Sequence, residues 1–238
     1  MKKLLIPFLA IAVATLALSS CVFNAITPEG EYTSKSYDLP TFENIYVSSG
    51  MELILTQDST VSVKVETYEN IHEYINVEVV DNTLRLSKDL EVSLKNAEIK
   101  VYVNIASLDE IEASSGSKIN LTAGWVAEEL EIEMSSGSSA KGTIDIKKFS
   151  LEMSSGSDAT FAGKAEKFTV GSSSGSTLKA FDLEAINCSA DLSSGSYAEV
   201  FATGFLYAES SSGASIKYKG TSQIELKTGS GGSVNRAE

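Results

Sequence analysis

The tetrad Ser135-Ser136-Gly137-Ser138 constrains this chain more than any other stretch, because close variants of it return at nearly fixed intervals through the C-terminal half. Its glycines fall at Gly116, Gly137, Gly156, Gly175, Gly195, Gly213 and Gly231, so successive copies stand 18 to 21 residues apart. A period of that size is the signature of a solenoid, in which each repeat is one supersecondary unit that buries its apolar face only by stacking on its neighbours.

Aligning the copies on their glycines gives the period structural content. Three, five and seven residues before the glycine stand Met134, Ile132 and Leu130 in one copy, Met153, Leu151 and Phe149 in the next, and Leu192, Ala190 and Cys188 in another. Three and five residues after it stand Ile119 and Leu121, Ala159 and Phe161, or Ile216 and Tyr218. Alternation by two puts each set on one face of a strand. The expected fold is therefore all-β: a single-stranded parallel β-helix whose coil is an apolar strand, a small-residue corner and a second apolar strand. A closing bend falls near Gly124, Gly142, Gly163, Gly204 or Gly220. Coils stacked about 4.8 Å apart would make a rod roughly 30 Å long from seven such glycines. The corner glycines supply a backbone angle that is costly for other residues, and the flanking serines can bond to the corner and to the next coil.

The same alternation begins earlier. Phe42, Ile45 and Val47, a Ser48-Ser49-Gly50 turn, then Met51, Leu53 and Leu55 read as one coil, so the solenoid domain is placed at residues 41–238. Residues 105–238 hold the regular corners, and residues 51–104 lack them. In that irregular part Val61, Val63 and Val65 form a strand, and Tyr68 to Ile75 suits a helical turn. Ile75, Val77 and Val79 lead through Asp81-Asn82 into Leu84 and Leu86 as a hairpin, and another strand lies near Ile99 to Ile105. The terminal coil of a solenoid must be covered, so this region is read as a cap or insertion.

The N-terminus carries an address. Lys2 and Lys3 precede an apolar run from Leu4 to Ala17, followed by Leu18-Ser19-Ser20-Cys21. The run is short for a membrane span and resembles the lipobox of bacterial lipoproteins. That resemblance implies a signal peptide at residues 1–20, cleavage before Cys21 and lipidation of its thiol. Residues 21–40, with Pro28 and Gly30, read as the start of the mature chain and a tether. The expectation is an exported protein held by lipid in the cell envelope, at the outer membrane. Loss of the two lysines takes the net charge from -13 to -15, which argues against nucleic acid as a partner. With Cys21 acylated only Cys188 remains, so no intramolecular disulfide forms.

From Thr41 to Val234 the chain resembles a family of bacterial exported proteins, the auto-transporter adhesin head or head GIN domain family. The resemblance rests on Phe42-Glu43-Asn44-Ile45-Tyr46-Val47 with Ser49-Gly50, the Ile99 to Val103 strand before Ser107-Leu108, and the Ser-Gly coils that follow. It implies a parallel β-helix, taken as right-handed, and an envelope or adhesive role without an established activity. The Gly-Ile-Asn tripeptide itself is absent, the nearest stretch being Ser117-Lys118-Ile119-Asn120.

Candidate chemistry is sparse. His72 is the only histidine, and Arg85 and Arg236 are the only arginines, so a lyase acting on anionic sugars lacks its usual cations. No base recurs beside the serines to activate them. Cys188 falls on an inward column and reads as a buried apolar residue, and Trp125, beside Gly124, reads as closing the core. One outward column is more informative: four residues before each glycine stand Glu112, Glu133, Glu152, Gly171, Asp191, Glu209 and Lys227. The acids form a stripe that would bind calcium or a basic partner, or keep the rod solvated. Lys118, Lys141, Lys179 and Lys217, beyond the corner, are expected to offset part of its charge.

The leading functional expectation is a non-catalytic, lipid-anchored envelope protein without a cofactor, presenting its solenoid to an envelope or host glycan or protein. The alternatives are a carbohydrate-active enzyme using acids such as Glu133 and Glu152, and a structural or signalling accessory whose exposed last coil, Ile224 to Val234, pairs with a partner or its own copy.

Overall fold

The protein is described by a computed structural model over residues 24–221 and 223–237. The expected signal peptide, residues 1–20, and Cys21 lie outside the described residues. Among the described residues eighteen strands run in chain order: β1 (Asn24–Ile26), β2 (Tyr32–Tyr37), β3 (Asn44–Val47), β4 (Glu52–Gln57), β5 (Ser62–Tyr68), β6 (Ile75–Val80), β7 (Thr83–Lys88), β8 (Val92–Leu94) and β9 (Lys100–Ile105). Then come β10 (Glu110–Ala113), β11 (Lys118–Met134), β12 (Ser139–Met153), β13 (Asp158–Ser172), β14 (Thr177–Leu192), β15 (Tyr197–Ser210), β16 (Ser215–Lys219), β17 (Gln223–Thr228) and β18 (Ser233–Arg236). One 3-10 turn, Glu69–Tyr74, follows β5. The result is the expected β-solenoid of about seven turns.

Each long strand runs from one Ser-Gly corner to the next, and the corners from Gly116 to Gly213 are built alike. Ser136 and Gly137 have φ of 52° and 70°, and Ser155 and Gly156 have 53° and 71°. The amide of Ser138 donates to the carbonyl of Ser135 at 3.1 Å. Two successive left-handed residues closed by that bond are the pattern of a type I′ turn, which explains the glycine at the second position. Neighbouring corners are then laced together, the amide of Gly137 donating to Ser155 O at 3.0 Å and that of Gly156 to Ser174 O at 3.1 Å.

The final serine of each tetrad turns inward, a feature the sequence reading missed. Ser117, Ser138, Ser157, Ser176 and Ser196 form a buried column that Ala214 continues. Their hydroxyls mostly bond backbone: Ser117 Oγ donates to Ser114 O at 2.8 Å and Val47 O at 3.1 Å, and Ser196 Oγ to Ser193 O at 2.8 Å and Ser172 O at 2.9 Å. At Ser117, Ser176 and Ser196 the hydroxyl thus ties its own turn to the coil before it.

The predicted inward columns are in register and buried as far as β15, whereas their continuation in the last coil, Ile224 and Leu226, is exposed. Leu130, Phe149, Phe168, Cys188 and Leu206 align, as do Ile132, Leu151, Val170, Ala190 and Ala208. Phe149 stacks on Phe168 with ring centroids 5.3 Å apart and meets Phe161 edge-on at 5.0 Å. Gly142 lies between Leu121 and Phe161 in its column. A coil has more than the two inward strands expected. Between them a third stretch also faces the core, through Trp125, Ile144 and Ile146, Ala165, Leu183 and Ala185, and Ala202. The anticipated closing bend is therefore a paired side of the coil. Its apolar pairs are too short to show a period, and glycines interrupt them.

Chain order and stacking order differ at the N-terminal end. The coil of β3 and β4 sits between that of β10 and β11 and an outer one made of β7 and β9, all paired in parallel. The chain lays down the second coil, moves out to build the first, and returns for the third. Antiparallel strands close this end: β6 on β7, β5 on β9 and β2 on β5. The β6–β7 hairpin turns at Asp81 and Asn82, with φ of 50° and 62°. This is the cap that the irregular region predicted.

The tether requires correction. β2 belongs to the main sheet and β1 pairs with β8, while Asn70 accepts from the amide of Glu29 and donates to Thr27 O, each at 2.8 Å. Residues 24–37 are therefore folded onto the cap. The strand Tyr-Thr-Ser-Lys-Ser-Tyr escaped notice because an edge strand is held by main-chain bonds and shows a mostly polar, exposed face.

Candidate functional surface

Stacking converts every outward sequence position into a column running along the rod. The predicted acidic stripe is one such column: Glu112, Glu133, Glu152, Gly171, Asp191, Glu209 and Lys227 are consecutive partners in register. Tyr46 and Arg85 extend it onto the N-terminal coils. A second outward column beside it carries Glu110, Glu131, Ser150, Thr169, Ser189, Tyr207 and Glu225.

Carboxylates concentrate where these columns run together. Partial burial, then Glu133, Glu131 and Glu112, push the Glu110 carboxyl above its ordinary range. Partial burial, then Glu133, Glu131 and Asp191, do the same to Glu152. Gly171 relieves the crowding, since a Cβ there would lie 2.1 Å from Glu152 Oε2. The Glu152 carboxylate thus occupies the gap that the glycine leaves in the stripe.

The expected lysine compensation is not built. Lys141, Lys179 and Lys217 share an outward column with Asn120, Thr160 and Glu199, and Lys118 lies in the neighbouring column. None of the four forms an ion pair with the stripe among the described residues. The pairs present are Lys64–Glu66, Lys100–Glu98, Lys147–Glu128, Lys148–Glu129 and Lys227–Glu225. The turn lies between the two faces and carries the lysines away from the acids. Among the described residues no group of three or more histidine, cysteine, aspartate or glutamate side chains is gathered to hold a metal ion.

The other singled-out residues fall into structural roles. Trp125 is buried in the third side of its coil with its indole N–H unpartnered. Cys188 is buried between Phe168 and Leu206, and burial pushes its thiol up to about 12. His72 lies in the 3-10 turn with Nε2 3.2 Å from Thr33 Oγ1, joining the turn to β2.

Aromatic side chains supply a surface that periodicity did not single out. On the C-terminal coils the Lys219 ammonium sits 4.8 Å from the ring centre of Phe201 and 5.5 Å from that of Phe181, and Lys217 approaches Tyr197 at 6.0 Å. These rings are only partly covered, and Phe205 is 40% exposed. The signal was present in Phe181, Tyr197, Phe201 and Phe205, which stand at outward positions of an alternating pattern. Depressions on the rod open to solvent, one of about 240 Å³ lying beside Glu112, Glu133 and Glu152 and one of about 580 Å³ beside Val126, Ile146, Ala165 and Ile186.

Comparison with known proteins places this architecture. Solved structures that share it include a putative adhesin from Bacteroides fragilis (TM-score 0.84, 22% identity, covering 89% of this chain and 100% of that one), a putative lipid binding protein from Parabacteroides distasonis (0.74, 19%, 90% and 100%) and a putative adhesin from Parabacteroides merdae (0.70, 20%, 90% and 100%). At these identities the likeness is one of fold. A search of curated proteins finds no match. The model of the family described as "Putative auto-transporter adhesin, head GIN domain" matches residues 41–222, so the coil formed by β17 and β18 follows the matched region. With three quarters of its length in that match, the chain belongs to this adhesin-head family.

Proposed function

We propose that the protein is a non-catalytic adhesive module, anchored through lipid on Cys21 in the outer membrane, whose solenoid faces outward and binds a glycan or protein through its outer columns. One observation carries this reading: the outward side chains of the strands flanking the corners stand in register from coil to coil, with shifts confined to the side between them, making extended faces where an enzyme would build a cleft. Adhesive contact suits such faces, because many modest contacts in line add up without an enclosed pocket. The aromatic and lysine cluster of Phe181, Tyr197, Phe201, Lys217 and Lys219 is the patch whose composition best fits a binding core, since exposed rings backed by cations supply contact area at small entropic cost.

A test displays the full lipidated chain on vesicles and measures retention on immobilised envelope and host polysaccharides and on host-cell matrix proteins. Retention that falls about tenfold for Phe201→Ala with Lys219→Ala supports the reading. Retention indifferent to both substitutions places the contact elsewhere and contradicts this assignment.

A catalytic reading draws on one feature, the raised Glu152 carboxyl beside Glu133, which resembles the acid partner of a glycosidase pair. The adjoining depression is too open to exclude water from a reacting sugar. Turnover of any polysaccharide in the same panel, abolished by Glu152→Gln, would favour the enzyme over the adhesive module.

A further inference from the structure

The two ends of the rod are finished differently. At the N-terminal end β6 runs antiparallel along β7, and its Val77 and Val79 side chains are half-buried. At the other end β17 pairs only with β15 among the described residues, and all six of its residues are exposed. Ile224 and Leu226 lie in register over Leu206 and Ala208, which are fully buried, yet they remain 41% and 42% exposed. They continue the core columns, and among the described residues no strand lies across them. An uncovered strand edge with apolar side chains in line is a template for another strand.

We propose that this edge receives a second copy of the same chain, β17 pairing antiparallel with β17 about a dyad through Leu226. Hydrogen bonding and charge together select this occupant and its register. The amide of Gly229 donates to Ser210 O at 2.8 Å. In a parallel ladder bonding direction alternates, so the odd-numbered residues of β17 bond β15, and the N–H and C=O groups of Ile224, Leu226 and Thr228 point to the free edge. Opposed residues must share a face, which restricts the dyad to a residue position and keeps the core side continuous.

Centring on Leu226 sets Leu226 against itself and Ile224 against Thr228, and it sets Glu225 against Lys227 twice, once on each side of the dyad. Centring on Glu225 would instead oppose two glutamates. Opposite charges facing across an antiparallel pair stabilise it and like charges destabilise it, so the Leu226 register is chosen. Glu225 and Lys227 already lie on one outward face within the chain, with Lys227 Nζ 3.6 Å from Glu225 Oε1. The joined rods would form one continuous sheet through β17, with the caps at both far ends.

The test is a charge exchange in the full chain, purified in detergent and followed by sedimentation. The parent is expected to dimerise reversibly, and Glu225→Lys and Lys227→Glu are each expected to weaken association about tenfold, since two facing pairs turn repulsive. Mixing the two variants in equal amounts restores both pairs and should restore the dimer, as heterodimers. Melting curves matching the parent verify that the variants fold. A parent that stays monomeric, a dimer indifferent to the single reversals, or a mixture no more associated than its components would each overturn the proposal. Leu226→Cys supplies an independent reading: oxidation should link copies through it, and Val61→Cys, exposed near the capped end, should not link.

Discussion

At the scale of single residues, the tetrad does two separable jobs. Its third position is conformational: a Cβ on Gly156 would meet nothing within 4 Å, so the requirement there is φ of 71° and not space. Gly163 differs, because φ is 113° and a Cβ would fall 1.9 Å from the carbonyl oxygen of Ile144 in the coil below. Gly156→Ala should therefore cost about 1 kcal/mol. Gly163→Ala should cost about 3 kcal/mol or more, because two backbones must part. Urea unfolding of the two variants checks the ranking.

The fourth position is a buried tie. Ser196 Oγ bonds two carbonyls, whereas the buried hydroxyl of Ser138 has no partner among the described residues. Ser196→Ala is expected to lose about 1 kcal/mol, and Ser138→Ala to lie within about 0.5 kcal/mol of the parent or above it. Equal losses at both sites would show that the hydroxyls act through something other than these bonds. Alanine already stands at position 214 of the same column, which fits a position where the hydroxyl is optional.

Elements explain what the sequence could reveal and what it could not. The regular coils were readable because corner and inward strands repeat together: Gly137 at its period and Leu130, Ile132 and Met134 at alternate positions carry independent signals for one geometry. The acidic column was readable for the same reason, since register in a stack follows from equal spacing to the corner. The third side was not, because Ile144 and Ile146, or Ala165 alone, are too few to establish alternation. β2 was hidden because its polar residues are held through main chain to β5, and main-chain pairing leaves no hydrophobic pattern. Nor does one chain's spacing reveal that β7 and β9 stack outside β3 and β4, since that order depends on contacts between segments far apart.

Charge acts on these elements in two directions. Glu110 on β10 and Glu152 on β12 hold their protons more tightly in the fold than in the unfolded chain. Their ionisation opposes folding at neutral pH, and stability should rise as pH falls from neutrality through their raised folded values toward the ordinary carboxylate range. Glu66 is the reverse case, held down first by its hydrogen bond to Lys64. Its contribution is present above the unfolded value and is lost as pH falls through its lowered folded one. Melting temperature should therefore increase on mild acidification and decline at lower pH. Glu152→Gln should raise it at neutral pH by about 1–2 °C and weaken the first part of the profile. A profile unchanged by that substitution would mean that the stripe does not strain the coils.

Taken whole, the molecule is a rod capped at its N-terminal end, with long ladders of outward side chains and an adhesin-head family membership. Its proposed placement on the outer face of the cell gives these features a use. Intact cells carrying the protein would be treated with a membrane-impermeant amine reagent and compared with lysed cells. The reporters are Lys141, Lys179 and Lys217, which are exposed on successive alternate coils. The account predicts that these lysines are modified in intact cells to nearly the extent reached after lysis. Protection in intact cells with full modification after lysis would put the rod inside the envelope and contradict its use as an outward-facing adhesive module.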